Sequence, residues 1–150
     1  MNKNPITVEV IVKAPMEKVW ECWNRPEHIT KWAFASDDWE APEAENDLKV
    51  GGKFRTKMAA KDKSASFDFG GIYTAVKEHE LIEYDMSKTP GEQGARHVKN
   101  EFIQTPEGVK IVTTFDPEQE NSEEKQRSGW QAILDNFKKY VEGTVKTGSF

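Results

Sequence analysis

The sequence predicts an α+β fold in which a seven-stranded antiparallel sheet packs on one long C-terminal helix, with two short helices between the first and second strands. Three observations predict it. Trp130, Ile133, Leu134, Phe137, Tyr140 and Val141 recur at i, i+3, i+4, i+7, i+10 and i+11, which puts all six on one face of a helix over Asn121 to Glu142. Ahead of that helix, Asp37 to Phe115 alternates apolar with polar residues and is cut at short intervals by turn residues. The connections are too short for crossovers, so neighbouring strands pair antiparallel. A sheet with one apolar face has to bury it, and the long helix is the element large enough to do so.

The first strand, Ile6 to Lys13, sets Ile6, Val8, Val10 and Val12 against Thr7, Glu9, Ile11 and Lys13. Ala14-Pro15 ends it, and proline suits the first turn of the helix that follows, whose apolar face is Val19, Trp20 and Trp23. Pro26 restarts a second short helix carrying Ile29 and Trp32. Six further strands follow, at about Asp38–Glu43, Gly52–Ala60, Ser66–Lys77, Leu81–Ser87, His97–Gln104 and Val109–Phe115. The breaks between them are Val50-Gly51-Gly52, Ala60 to Lys63, Glu78-His79-Glu80, Pro90 to Gly94 and Pro106-Glu107-Gly108. Asn121 and Glu124 have the spacing of a capping box for the last helix, and Gly143 suits its end. Thr147 to Phe150 reads as a loose tail, so one domain spans residues 1–150 with its core at about 6–142.

Whole-chain properties exclude several function classes. A net charge of −5 argues against nucleic acid as a partner, because phosphate contacts need a basic surface. No apolar run is long enough for a membrane span. The N-terminus lacks a basic-then-apolar leader, so the expected location is cytoplasmic. A single cysteine, Cys22, allows neither an internal disulfide nor a multi-thiolate metal site.

The chemistry-bearing residues point to binding more than to catalysis. No nucleophile elbow, HExxH, phosphate loop or dinucleotide fingerprint is present. His28, His79 and His97 lack ligand spacing and read as surface or turn histidines, and neither a metal nor a cofactor is expected. Cys22 reads as a small buried residue with Arg25 as its one cationic neighbour. Asp47, before Gly51-Gly52, is either a turn carboxylate accepting backbone N–H groups or a pocket acid. Gly70-Gly71 inside a strand implies a bend in the sheet, or room for a ligand where side chains are missing. The acidic runs Glu40 to Asp47 and Glu118 to Glu124 are either solvated surface or a docking face for a basic partner.

The aromatic set is the sharpest signal. Phe54, Met58, Phe67, Phe69, Tyr73, Tyr84, Met86 and Phe102 share the strand phase that faces the helix, and Trp130, Leu134 and Phe137 face them. Asn100 lies in phase with Phe102, and a polar residue on an inner face needs a partner. These twelve residues are packed core, or the lining of a ligand cavity. Trp130 and Phe137 are expected to be largely buried.

Four segments also resemble a known family. They are Ala14 to Trp20 followed by Trp23, Pro26-Glu27 and Trp32; Asp47 to Phe54 around Gly51-Gly52; Asp68 to Tyr73 followed by Leu81 to Tyr84; and Gly129-Trp130 with Leu134 and Tyr140. In this order they resemble the START-like, or SRPBCC, superfamily with its helix-grip fold, and most of all the activator of heat-shock protein 90 ATPase homologue family. The resemblance implies a curved sheet gripping the C-terminal helix around a cavity. Across the superfamily that cavity holds lipids, sterols, polyketides or other apolar molecules. The family's eukaryotic namesake carries a further N-terminal domain for chaperone contact, and no counterpart is expected in a chain whose fold begins almost at Met1. The leading expectation is therefore a non-catalytic protein holding a small hydrophobic or aromatic ligand. A protein-interaction module related to chaperone ATPase activators, and a small enzyme of the cyclase or hydratase kind, are the alternatives.

Overall fold

A computed structural model describes residues 5–86, 96–118 and 121–148, with side chains as far as Gly143. Its elements run β1 (Ile6–Val12), α1 (Met16–Asn24), α2 (Pro26–Trp32), β2 (Trp39–Asn46), β3 (Lys53–Ala60), β4 (Ser66–Lys77), β5 (Leu81–Met86), β6 (Arg96–Thr105), β7 (Gly108–Phe115) and α3 (Glu123–Gly148). The strands form one antiparallel seven-stranded sheet in the order β1-β7-β6-β5-β4-β3-β2. The sheet curls into a half-barrel, and α3 lies in its concave face.

The topology explains the two short helices. β1 and β2 are consecutive strands on opposite edges of the sheet, so the chain between them has to cross its full width. α1 and α2 make that crossing and pack against each other and against α3. β2 extends three residues past the expected end at Glu43 although it contains Pro42. It is an edge strand, and its register shifts between Glu40 and Glu43, which is where a sheet tolerates proline.

Gly70 and Gly71 owe their identity to close approach rather than to a bulge. A Cβ on Gly70 would stand 2.5 Å from the Phe54 carbonyl oxygen, and one on Gly71 would stand 2.4 Å from that of Asp85. The irregularity in β4 falls later, between Tyr73 and Ala75. Asp47 is an exposed turn residue whose carboxylate lies 3.7 Å from Lys49 Nζ.

Both expected ends of the last helix shift. Its cap is Ser122, whose Oγ accepts the Lys125 N–H at 3.1 Å, not Asn121, whose amide bonds the Glu118 carboxylate. At the other end Gly143 is interior, and the helix continues to Gly148. A helix absorbs one exposed glycine at a cost of about 1 kcal/mol. Thr147 and Gly148 are thus helical rather than tail. Ser87, the turn expected at Pro90 to Gly94, and Ser149-Phe150 lie outside the described residues.

The outer face of the sheet carries one charge cluster with a measurable consequence. His97 sits between two carboxylates, with Nδ1 at 2.8 Å from Asp85 Oδ1 and Nε2 at 2.8 Å from Glu83 Oε1. Burial opposes the imidazolium, but hydrogen bonds to Asp85 and Glu83 outweigh it and raise the pKa above its ordinary value. A group whose pKa is raised on folding stabilises fully below its unfolded pKa, about 6.5 for histidine, and stops as pH rises through the folded value. His97→Gln is therefore expected to lose most relative to the parent below about pH 6 and least at alkaline pH. Urea melts across that range would show it, and a loss independent of pH would contradict it.

Candidate functional site

A cavity of about 500 Å³ lies between the curled sheet, the N-terminal half of α3 and the α1–α2 pair. The core is split along α3. Toward its C-terminal half, Phe137 is fully buried, with its ring 5.0 Å from Trp23 and 4.8 Å from Trp32, and Val141 is buried beyond it. Phe102 belongs to the same packed region, 5.1 Å from Trp20 and 5.4 Å from Trp23. Toward the N-terminal half, Gly129, Trp130, Ile133 and Leu134 line the open space instead.

The cavity wall is aromatic and ordered by ring contacts. Trp130 stacks on Phe115 with centroids 4.0 Å apart and planes 10° from parallel, and its edge lies 5.9 Å from Phe69. Phe54 stands 4.6 Å from Tyr84 and 5.2 Å from Tyr73. At the mouth, Trp39 and Phe67 pair at 5.7 Å, and Phe67 is 52% exposed. An exposed phenylalanine at the rim of an apolar cavity has water on one side and the cavity on the other, so small movements of its ring alter access.

Ten of the twelve residues singled out from sequence converge on this wall: Phe54, Met58, Phe67, Phe69, Tyr73, Tyr84, Met86, Asn100, Trp130 and Leu134. Phe102 and Phe137 do not. They share strand or helix phase with the wall but lie deeper, under α1 and α2, where packing is closed. Trp130 is buried over most of its surface, as expected, though less completely than Phe137, and it forms part of the cavity wall.

Several wall residues were not singled out from sequence. Thr56 and Thr113 are buried on the inner face, in phase with Phe54 and Phe115, and the alternation that located Asn100 would have found them. Trp23 and Trp32 were visible as helix faces but not as a cavity roof. Asn46 and Arg96 lie just outside the expected strand limits.

Polar groups on the wall form two satisfied networks. In one, the Tyr73 hydroxyl donates to Asn46 Oδ1, Asn46 Nδ2 donates to the Asn24 carbonyl at 2.7 Å, and Asn24 Nδ2 donates to the Trp20 carbonyl at 3.0 Å. In the other, Thr113 Oγ1 donates to Asn100 Oδ1 at 2.7 Å. Burial pushes both phenols far above their ordinary range, so both stay protonated. Arg96 borders the cavity, its Nε donating to the Asp116 carbonyl at 2.9 Å.

Nothing here builds a metal centre or a reactive thiol. Among the described residues, no group of three or more His, Cys, Asp or Glu is placed to hold a metal ion. His28 Nδ1 bonds the Tyr140 hydroxyl at 2.7 Å, and the His79 ring meets the edge of Trp20. Cys22 is buried, and burial raises its pKa, which keeps the thiol protonated. No described helix is long and apolar enough to cross a membrane.

The family model described as "Activator of Hsp90 ATPase homolog 1-like protein" matches residues 13–142. The chain belongs to this family. An AHSA1-like protein from Aeromonas hydrophila, solved in solution, is similar at 40% identity with 93% of each chain covered and a TM-score of 0.84. A protein from Cytophaga hutchinsonii, also solved in solution, shares 52% identity over 96% of each chain at a TM-score of 0.77. A Nitrosomonas europaea protein at 17% identity covers 94% of this chain and 96% of its own, with a TM-score of 0.80, and speaks for the fold alone. No curated protein matches the chain. The AHSA1-like family and its START/SRPBCC-type fold are thereby shown, and the fold inferred from the strand and helix periodicities agrees with them.

Proposed function

We propose that this AHSA1-like protein is a non-catalytic binding protein that holds a small hydrophobic or aromatic molecule, lipid-like or polyketide-like, between the sheet and α3. The observation that carries the reading is the cavity of about 500 Å³ walled by Phe54, Phe69, Tyr84, Trp130 and their neighbours. That volume lies in the range of about 300–1,000 Å³ usual for small-molecule sites. A closed core of this size would fill such space, because interiors pack to crystal-like density. The cytoplasmic location belongs to the same reading and suits a chain whose one cysteine is unpaired.

The wall favours binding over chemistry. General acid–base catalysis needs groups that titrate near the working pH. Both wall tyrosines are held protonated by burial. The one carboxylate on the wall, Glu118, is occupied by the Asn121 amide. The chaperone-partner reading suggested by the family description stands second. It takes support from Phe67 on β4, Ile103 on β6 and Val50 in the turn before β3, large apolar residues left exposed.

A fluorescence titration tests the proposal. Native protein titrated with the uncharged probe N-phenyl-1-naphthylamine is expected to bind it saturably, with quenching of tryptophan emission. Trp130→Phe keeps a ring against Phe115 and is expected to reduce the quenching while binding persists, the remainder coming from Trp23, Trp32 and Trp39 on the same wall. Failure of the native protein to bind this probe, fatty acids or flat aromatics would contradict the reading.

A further inference from the structure

We infer that the ligand is an amphiphilic monocarboxylate, an apolar or aromatic body ending in one acid group that Arg96 and the Tyr84 hydroxyl receive. The inference rests on the ligand-binding reading above. Arg96 is the only lysine or arginine on the cavity wall among the described residues. A guanidinium beside an apolar space is costly unless something offsets its charge. Its Nε is fixed on the Asp116 carbonyl, which orients the group and leaves its terminal nitrogens to serve another partner. No carboxylate lies within 4.0 Å of Arg96 among the described residues, whereas Arg55 on the outer face of the sheet gathers three. A planar guanidinium fork matches a carboxylate in two parallel hydrogen bonds.

The neighbouring groups point to the same acceptor. Tyr84 and Arg96 line the same wall from adjacent strands, Tyr84 pairing with Val98, two residues along β6 from Arg96. A phenol O–H can donate to an anion, and Tyr84 presents its ring and hydroxyl on the cavity wall. The Tyr73 hydroxyl, by contrast, is committed to Asn46. Arg96 and Tyr84 therefore bring donors to a largely aromatic wall, and a bound carboxylate would accept from both. With one guanidinium on the wall among the described residues, the site matches a single carboxylate better than a dianion such as a phosphate monoester. The body of the ligand then lies along Phe54, Phe69, Trp130 and Leu134.

The test uses matched pairs at neutral pH, decanoate with 1-decanol and 1-naphthylacetate with 1-naphthylacetamide, followed by NMR titration of the whole chain. The acid of at least one pair is expected to bind about tenfold more tightly than its neutral partner, as hydrogen bonds to a charged group imply. Arg96→Gln is expected to erase that preference while leaving the neutral partner's affinity in place. Tyr84→Phe, which keeps the ring and Arg96, is expected to reduce the preference about threefold. Equal affinity within both pairs, or a preference that survives Arg96→Gln, would overturn the inference and leave the ligand-binding reading standing. Uptake of no member of either pair would bring down that reading and this inference with it.

Discussion

Phe137→Ala is expected to destabilise the protein by about 3–5 kcal/mol, the cost of deleting a fully buried aromatic side chain from packed core. Phe137 has no exposed surface and is flanked by Trp23 at 5.0 Å and Trp32 at 4.8 Å. Phe137 on α3 thus meets one ring from α1 and one from α2, so the truncation removes a side chain through which α3 holds the α1–α2 pair. Those rings cannot all move inward, and the space left by the ring remains partly empty. Trp130→Ala should cost less, although tryptophan is the larger residue, because one face of its indole borders the cavity and makes no contact there. Urea melts of both variants decide. The account expects Phe137→Ala to be the more damaging, and the reverse order would place the packed core at the wrong end of α3.

Leu134→Trp is expected to do the opposite, preserving stability while abolishing uptake of apolar probes. Leu134 is 3% exposed to solvent and contributes to the cavity wall one helical turn beyond Trp130. Enlarging a side chain in a filled core costs about 1–3 kcal/mol because neighbours have to leave their rotamers. Here the added ring has an empty volume of about 500 Å³ to enter. The loss of stability should therefore fall below that range, while probe affinity drops roughly tenfold or more. A variant that unfolds would show that Leu134 is ordinary core. One that folds and binds as before would show that probes bind elsewhere.

The sequence foretold the sides of elements well and their depths poorly. Period 3.6 identified the apolar face of α3 correctly, yet the same stripe serves two purposes. Trp130, Ile133 and Leu134 wall a cavity, whereas Phe137 and Val141 close a core. Periodicity reports which way a side chain faces and carries nothing about the distance to the opposite surface. The same limit misplaced Phe102, which shares phase with Asn100 but lies under Trp20 and Trp23. Arg96 escaped notice for a different reason. It opens β6 one residue before the expected start, where a charged residue is ordinary, and only the fold brings it to the cavity wall. Ends of elements behaved likewise. Ser122 caps α3 in place of Asn121 because both residues suit a cap, and the loop to Glu118 draws the asparagine away.

The most direct test of the account is an NMR titration of the native protein with a broad set of apolar and amphiphilic small molecules, read at assigned side chains. The account predicts that at least one compound shifts the ring signals of Phe69, Tyr73 and Trp130 saturably and together. His97, on the outer face of the sheet, should stay still. If those three rings remain unmoved across the whole set, the cavity takes up no ligand. The central claim would then be contradicted, and the protein-interaction reading would become the better one.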